Sequence, residues 1–157
     1  MTMTKPRKPP VHSTENLARI LAGAEQELAP PPHVPLSEAD WPYWHSLIGE
    51  FARADWTPHM LEVAALLART MAELEAEQRE LRKEGVVYLN SRGDPATNPR
   101  TRIVATLTGR VLAYRRSLAL TGRAKAGGTD NAARQRRANR DYECALRSGA
   151  SNDDLLS

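Results

Sequence analysis

The 157-residue chain carries one cysteine, one phenylalanine and only eight aromatic residues in all. A lone cysteine, Cys144, excludes an intrachain disulfide and a cysteine-held metal cluster. The four histidines, His12, His33, His45 and His59, fall in no metal-ligand spacing. No glycine-rich loop precedes a lysine, so the phosphate-cradling motif of an ATPase is missing. No Ser-His-Asp set is indicated. The carboxylates lie along one helical stretch rather than converging, as a two-metal nuclease requires. No apolar run is long enough to span a bilayer, and the basic N-terminus lacks the apolar stretch of a signal peptide. A non-catalytic, cytosolic protein with no cofactor and no metal is the expectation.

Charge of one sign is also missing locally. From Pro99 to Thr121 there is no acid. The net charge of +3 therefore hides a segregation. Residues 1–12 hold Lys5, Arg7 and Lys8 without an acid, and residues 13–98 hold seven Lys/Arg against fourteen Asp/Glu. Residues 99–147 then hold twelve Lys/Arg against three acids. An acidic centre with basic ends points to a structural body whose arms meet a polyanion.

The stretch from Asp55 to Gly122 organises the rest. Thr57 is placed to cap a helix, and Pro58 sits where a missing N–H costs nothing. Met60, Leu61, Ala64, Leu67, Ala68, Met71, Leu74 and Leu81 then recur at helical spacing. Gly85 is the stop, with Arg82 and Lys83 in the last turn. The helix would be roughly 40 Å long at ~1.5 Å per residue. Asn98 and Pro99 open a second helix, in which Ile103, Leu107, Val111, Tyr114 and Leu118 share a face and Thr121-Gly122 is the expected end. Between them lie the apolar segment Val86-Val87-Tyr88-Leu89 and the turn cluster Asn90-Ser91-Arg92-Gly93-Asp94-Pro95. An antiparallel helical hairpin is the simplest reading, and it needs a neighbour to bury its faces.

The segments before it are shorter. Residues 1–12 are basic and proline-rich and are expected to be disordered. Residues 13–28 predict a marginal helix weakened by Gly23. Residues 29–36 are a proline-rich linker. Ser37 and Asp40 have capping-box spacing, and Trp41, Trp44, His45, Ile48 and Phe51 follow, expected to clamp onto the hairpin base together with Trp56. Residues 37–122 thus read as the helical core, whose faces meet the preceding helix or, for oligomerisation, another subunit, with Trp41, Trp44, Ile48, Phe51, Trp56, Leu67, Met71, Leu74, Ile103, Leu107, Val111 and Tyr114 as its packing residues. Acidic neighbours argue against the aromatics being a base-stacking platform.

Residues 123–157 read as basic and mostly disordered. Arg134, Arg136, Arg137 and Arg140 cluster there with no apolar stripe behind them. Such a segment binds phosphate without reading sequence. Lys5, Arg7, Lys8, Arg123, Lys125, Arg134, Arg136, Arg137 and Arg140 are the candidate DNA contacts. The arginines of the second hairpin helix read either as a solvated face paired with the opposite glutamates or as the lining of a ring. A helix-turn-helix around residues 53–57 is disfavoured, because the first turns of the second helix carry Glu62 and no Arg or Lys before Arg69.

Taken in order, several stretches resemble one family. They are Pro31-Pro32-His33-Val34-Pro35-Leu36, Trp41-Pro42-Tyr43-Trp44-His45, Asp55-Trp56-Thr57-Pro58 and Leu61-Glu62-Val63-Ala64-Ala65-Leu66-Leu67-Ala68. Glu80-Leu81-Arg82-Lys83-Glu84-Gly85, Asn98-Pro99, the helix to Arg116-Ser117-Leu118, and Arg134-Gln135-Arg136-Arg137-Ala138-Asn139-Arg140-Asp141 continue the series. Over roughly residues 30–142 the chain resembles the small terminase subunit of long-tailed, cohesive-end bacteriophages. The resemblance implies an all-α ring subunit: a long helical hairpin preceded by one or two short helices, with flexible basic termini. It implies a homo-oligomer of about nine copies closed by symmetry, with double-stranded viral DNA and the large ATPase-nuclease subunit as partners in the host cytoplasm. Relatives with an N-terminal helix-turn-helix domain differ, since the region before residue 37 is too short for one. The residues leave two rivals, a helical adaptor that binds no DNA and a dimeric DNA-binding regulator with two half-sites.

Overall fold

The computed structural model describes residues 13–120 and 129–153. Five helices account for most of these: α1 (Thr14–Ala24), α2 (Trp41–Ile48), α3 (Pro58–Glu84), α4 (Arg100–Ser117) and α5 (Thr129–Asp153). Two three-residue strands, β1 (Val87–Leu89) and β2 (Pro95–Thr97), pair antiparallel between α3 and α4, with Tyr88 opposite Ala96. The chain divides into two compact units. One contains residues 13–28, 49–56 and 129–153, and the other contains residues 29–48 and 57–120.

The second unit is the helical hairpin with α2 against it. α3 starts where its cap predicts: Thr57 Oγ1 accepts from the Met60 amide at 3.3 Å, and Pro58 follows as the first helical residue. It ends at Gly85, whose φ of 84° suits only glycine well and whose amide reaches the Leu81 carbonyl at 2.8 Å. Val63, Ala64, Ala65, Leu67 and Ala68 are all buried, so this half of α3 is covered on several sides. Small alanines there let α2 and α4 approach closely. Trp44 and Leu47 of α2 are buried, and from α4 come Leu107, Val111 and, just beyond it, Leu118. Met71, Leu74, Tyr114 and Ile48 are half-buried.

Several expectations shift. Ile103 is 47% exposed and Trp41 38% exposed, the latter stacked on His45 with ring centroids 5.5 Å apart. Phe51 and Trp56 are buried, but they belong to the other unit, where they pack on each other at 5.2 Å. α4 stops at Ser117, short of the expected Thr121-Gly122. The amides of Ala119 and Leu120 return to the carbonyls of Arg116 and Arg115 at 3.0 and 2.9 Å, a Schellman closure with Ala119 at φ 55°. The apolar run between the helices is a strand: Asn90 Oδ1 accepts from the amides of Arg92 and Asp94 and shapes the turn, with Gly93 at φ 87°.

The first unit holds the expected helix of residues 13–28 and adds partners to it. Ser13 caps α1 through the Asn16 amide at 3.2 Å. Gly23 is the contact point. A Cβ built on it would lie 2.8 Å from the Ala54 Cβ, in the one-turn 3-10 helix Arg53–Asp55. The glycine that weakens α1 as an isolated helix is what lets it lie against this turn. α5 completes the unit. Residues 129–153 are helical, where composition pointed to a mostly disordered segment.

Candidate nucleic-acid interface

The reason α5 docks is polar. Asn139 and Glu143 sit one helical turn apart on one face, and both are buried. Asn139 accepts from Asn16 Nδ2 at 2.9 Å and donates to Asp55 Oδ2 at 3.0 Å. Arg19 closes the cluster, donating to Asp55 Oδ1 at 2.8 Å, Asn16 Oδ1 at 3.0 Å and the Ala54 carbonyl at 2.7 Å. Glu143 accepts from the Arg53 amide at 2.7 Å, and the Arg53 guanidinium lies 3.6 Å away while donating to the Gln26 carbonyl at 2.8 Å. A buried polar network of this kind holds only when every member is satisfied. No buried side-chain N or O lacks a partner among the described residues. Asn139 and Glu143 form no apolar stripe, so hydrophobic periodicity does not reveal this face. Their four-residue spacing was the available signal.

The network sorts the arginine cluster. Arg136, on the docked face, lies 5.0 Å above the Phe51 ring, a cation–π contact that ties it to packing. Arg140 is half-buried and pairs with its neighbour Asp141 at 3.1 Å. Arg134 and Arg137 are exposed, and their spacing sets them on the face away from Asn139 and Glu143. Lys5, Arg7, Lys8, Arg123 and Lys125 lie outside the described residues. In sequence they run directly into α1 and α5, the two helices the network joins.

The hairpin unit has a different electrostatic character. Arg100 Nε and Nη2 grip the two Glu84 oxygens at 3.0 and 2.9 Å, and its other nitrogen bonds Glu77. Asn98 Nδ2 donates to the same Glu84 at 2.9 Å. The hydrogen bonds from Arg100, then from Asn98, lower the Glu84 pKa to about 2, and those from Glu84 and Glu77 raise that of Arg100. Arg102, Arg110 and Arg116 are exposed and meet no acid among the described residues. The pairing of glutamates with the second helix is thus real at Arg100 and absent along the rest of α4.

Among the described residues, no group of three or more His, Cys, Asp or Glu is placed to hold a metal, and no helix is long and apolar enough to cross a membrane. Comparison with known proteins agrees with the resemblance in the sequence. The profile of the Hendrixvirinae small terminase family matches residues 1–157. The chain is also similar to the terminase small subunit of Enterobacteria phage HK97, 26% identical over 149 residues, which cover 93% of this chain and 92% of that protein.

Proposed function

Because the chain belongs to the Hendrixvirinae small terminase family, the non-catalytic partner in phage DNA packaging, we propose that it binds double-stranded viral DNA and brings the large ATPase-nuclease subunit to it in the host cytoplasm. The hairpin unit assembles copies into a closed ring. The α1–α5 unit carries the DNA contacts. Supporting this reading is the network that fixes α5 to α1 while leaving Arg134 and Arg137 toward solvent. The basic segments holding Lys5, Arg7, Lys8, Arg123 and Lys125 extend the same charge. Contact is through phosphates, without base readout. A ring multiplies such weak sites into useful avidity.

The test is a gel shift with a phage duplex and an unrelated duplex of equal length across a salt series. Binding of both duplexes should fall steeply with salt, and Arg134→Ala/Arg137→Ala should weaken both alike, reducing the salt slope by roughly two. Sequence-selective binding that survives the double substitution removes DNA contact from α5. Native mass spectrometry of the wild-type protein tests the ring independently.

A further inference from the structure

The outer face of α4 is uncovered within the hairpin unit, among the described residues. Leu112 is 45% exposed there, one turn from the exposed Arg116, which meets no acid among the described residues. Gly109 sits on the same face. A Cβ added to it would meet nothing within 4 Å. A helix-interior glycine costs ~1 kcal/mol relative to alanine, and no contact within the subunit requires this one.

A receptor of opposite character lies across the hairpin. Leu36, ahead of the one-turn 3-10 helix Glu38–Asp40, joins Ala72 and Ala76 of α3 around an open groove of about 650 Å³. The spacing of Arg69, Ala72, Glu73 and Ala76 places it on the face of α3 turned away from α4. Glu73 lines it and Glu38 stands beside it. Both are exposed, and among the described residues neither is paired, while Arg69 is the only cation among the lining residues.

We infer that this groove receives the outer face of α4 from a second copy of the chain, with Leu112 seated against Ala72 and Ala76 and Arg116 facing Glu73 and Glu38. Charge complementarity selects the occupant. DNA would meet the α4 arginines but be repelled by the glutamates, and it carries no apolar knob for the groove. A second copy supplies both halves. Because knob and groove are different surfaces, the contact is heterologous and repeats head to tail, the arrangement that closes rings. Gly109 then allows the neighbouring backbone to come near. The inference rests on the ring assembly proposed above and assigns its surfaces.

The experiment places Leu112→Cys and Ala76→Cys together in a Cys144→Ser background and oxidises the assembled full-length protein. A ladder of covalent multimers from the double variant, with monomers from each single variant, is expected. In parallel, Arg116→Glu should raise the subunit dissociation constant about tenfold through like charges at the contact, and Glu73→Lys/Glu38→Lys should restore most of it. Circular dichroism confirms folding, and the charge-swap pair gives an answer if the cysteine variant fails to fold. Dimers from Leu112→Cys alone would show a two-fold contact and overturn the proposal. So would an oligomeric protein that neither cross-links nor responds to the swap. A wild-type protein that is monomeric in native mass spectrometry refutes the ring itself, a failure distinct from these.

Discussion

Arg100, the first residue of α4, holds Glu84, the last residue of α3, with two nitrogens at 2.9 and 3.0 Å. The two helices are separated by fifteen residues in sequence, yet this pair closes the hairpin at its strand end. Each side chain stands at the helix terminus whose dipole disfavours its charge: Glu84 is at a C-terminus and Arg100 at an N-terminus. The fork geometry and the added bond from Asn98 outweigh that mismatch.

A pH dependence follows. Glu84 has a folded pKa of about 2 against an ordinary 4.5. A depressed carboxylate stabilises the folded state fully above its unfolded pKa and loses that contribution as pH falls toward the folded one. Amide exchange in β1 and β2 should therefore be flat above pH 4.5 after correction for intrinsic rates, and rise from there toward pH 2. In Glu84→Gln this acid-induced step should be missing. An unchanged step in that variant would assign it to another carboxylate.

Gly23→Ala should destabilise the α1–α5 unit, although alanine is the better helix former. The new methyl would lie 2.8 Å from the Ala54 Cβ, with the Ala54 backbone at 3.1 Å, so no flexible side chain is there to yield. Overpacking of this kind costs about 1–3 kcal/mol. Thermal or urea unfolding of the variant measures it, and a more stable Gly23→Ala protein would show that the contact is not maintained.

Asn139→Ala should be more damaging than an exposed substitution on the same helix. It leaves the Asn16 amide and an Asp55 oxygen without their partner, and a buried group left unmade costs about 1–3 kcal/mol. Protease cleavage within α5 should accelerate, and DNA affinity should fall although no arginine has changed. Arg137→Ala should separate the two effects, weakening DNA binding with cleavage unchanged.

Ala119→Gly should stabilise the end of α4. Ala119 has φ 55° in the Schellman closure, a region that costs a non-glycine residue roughly 1–2 kcal/mol. Relief of part of that cost should raise the unfolding midpoint. A lower midpoint would mean that the unfolded-state freedom of glycine outweighs the strain.

How much of this was legible in the chain depends on the range of the signal. The caps at Thr57 and Asn98, the stop at Gly85 and the apolar spacing of Leu107 and Val111 are local, and the hairpin follows from them. The missing acids from Pro99 to Thr121 and the full-length family likeness are equally properties of the chain. The early end of α4 was not legible, because Ala119 adopts a conformation its side chain disfavours. Nor was the polar unit. Asn16, Asp55, Asn139 and Glu143 stand 84 to 123 residues apart in the pairs that link α5 to α1 and the Arg53–Asp55 turn, and each reads as a solvated polar residue until the others are beside it. The sequence alone determined the hairpin, the distribution of charge and the family. Only the tertiary structure decided which arginines lie on packing surfaces and which face solvent, because a polar residue's role depends on distant partners that no local pattern encodes.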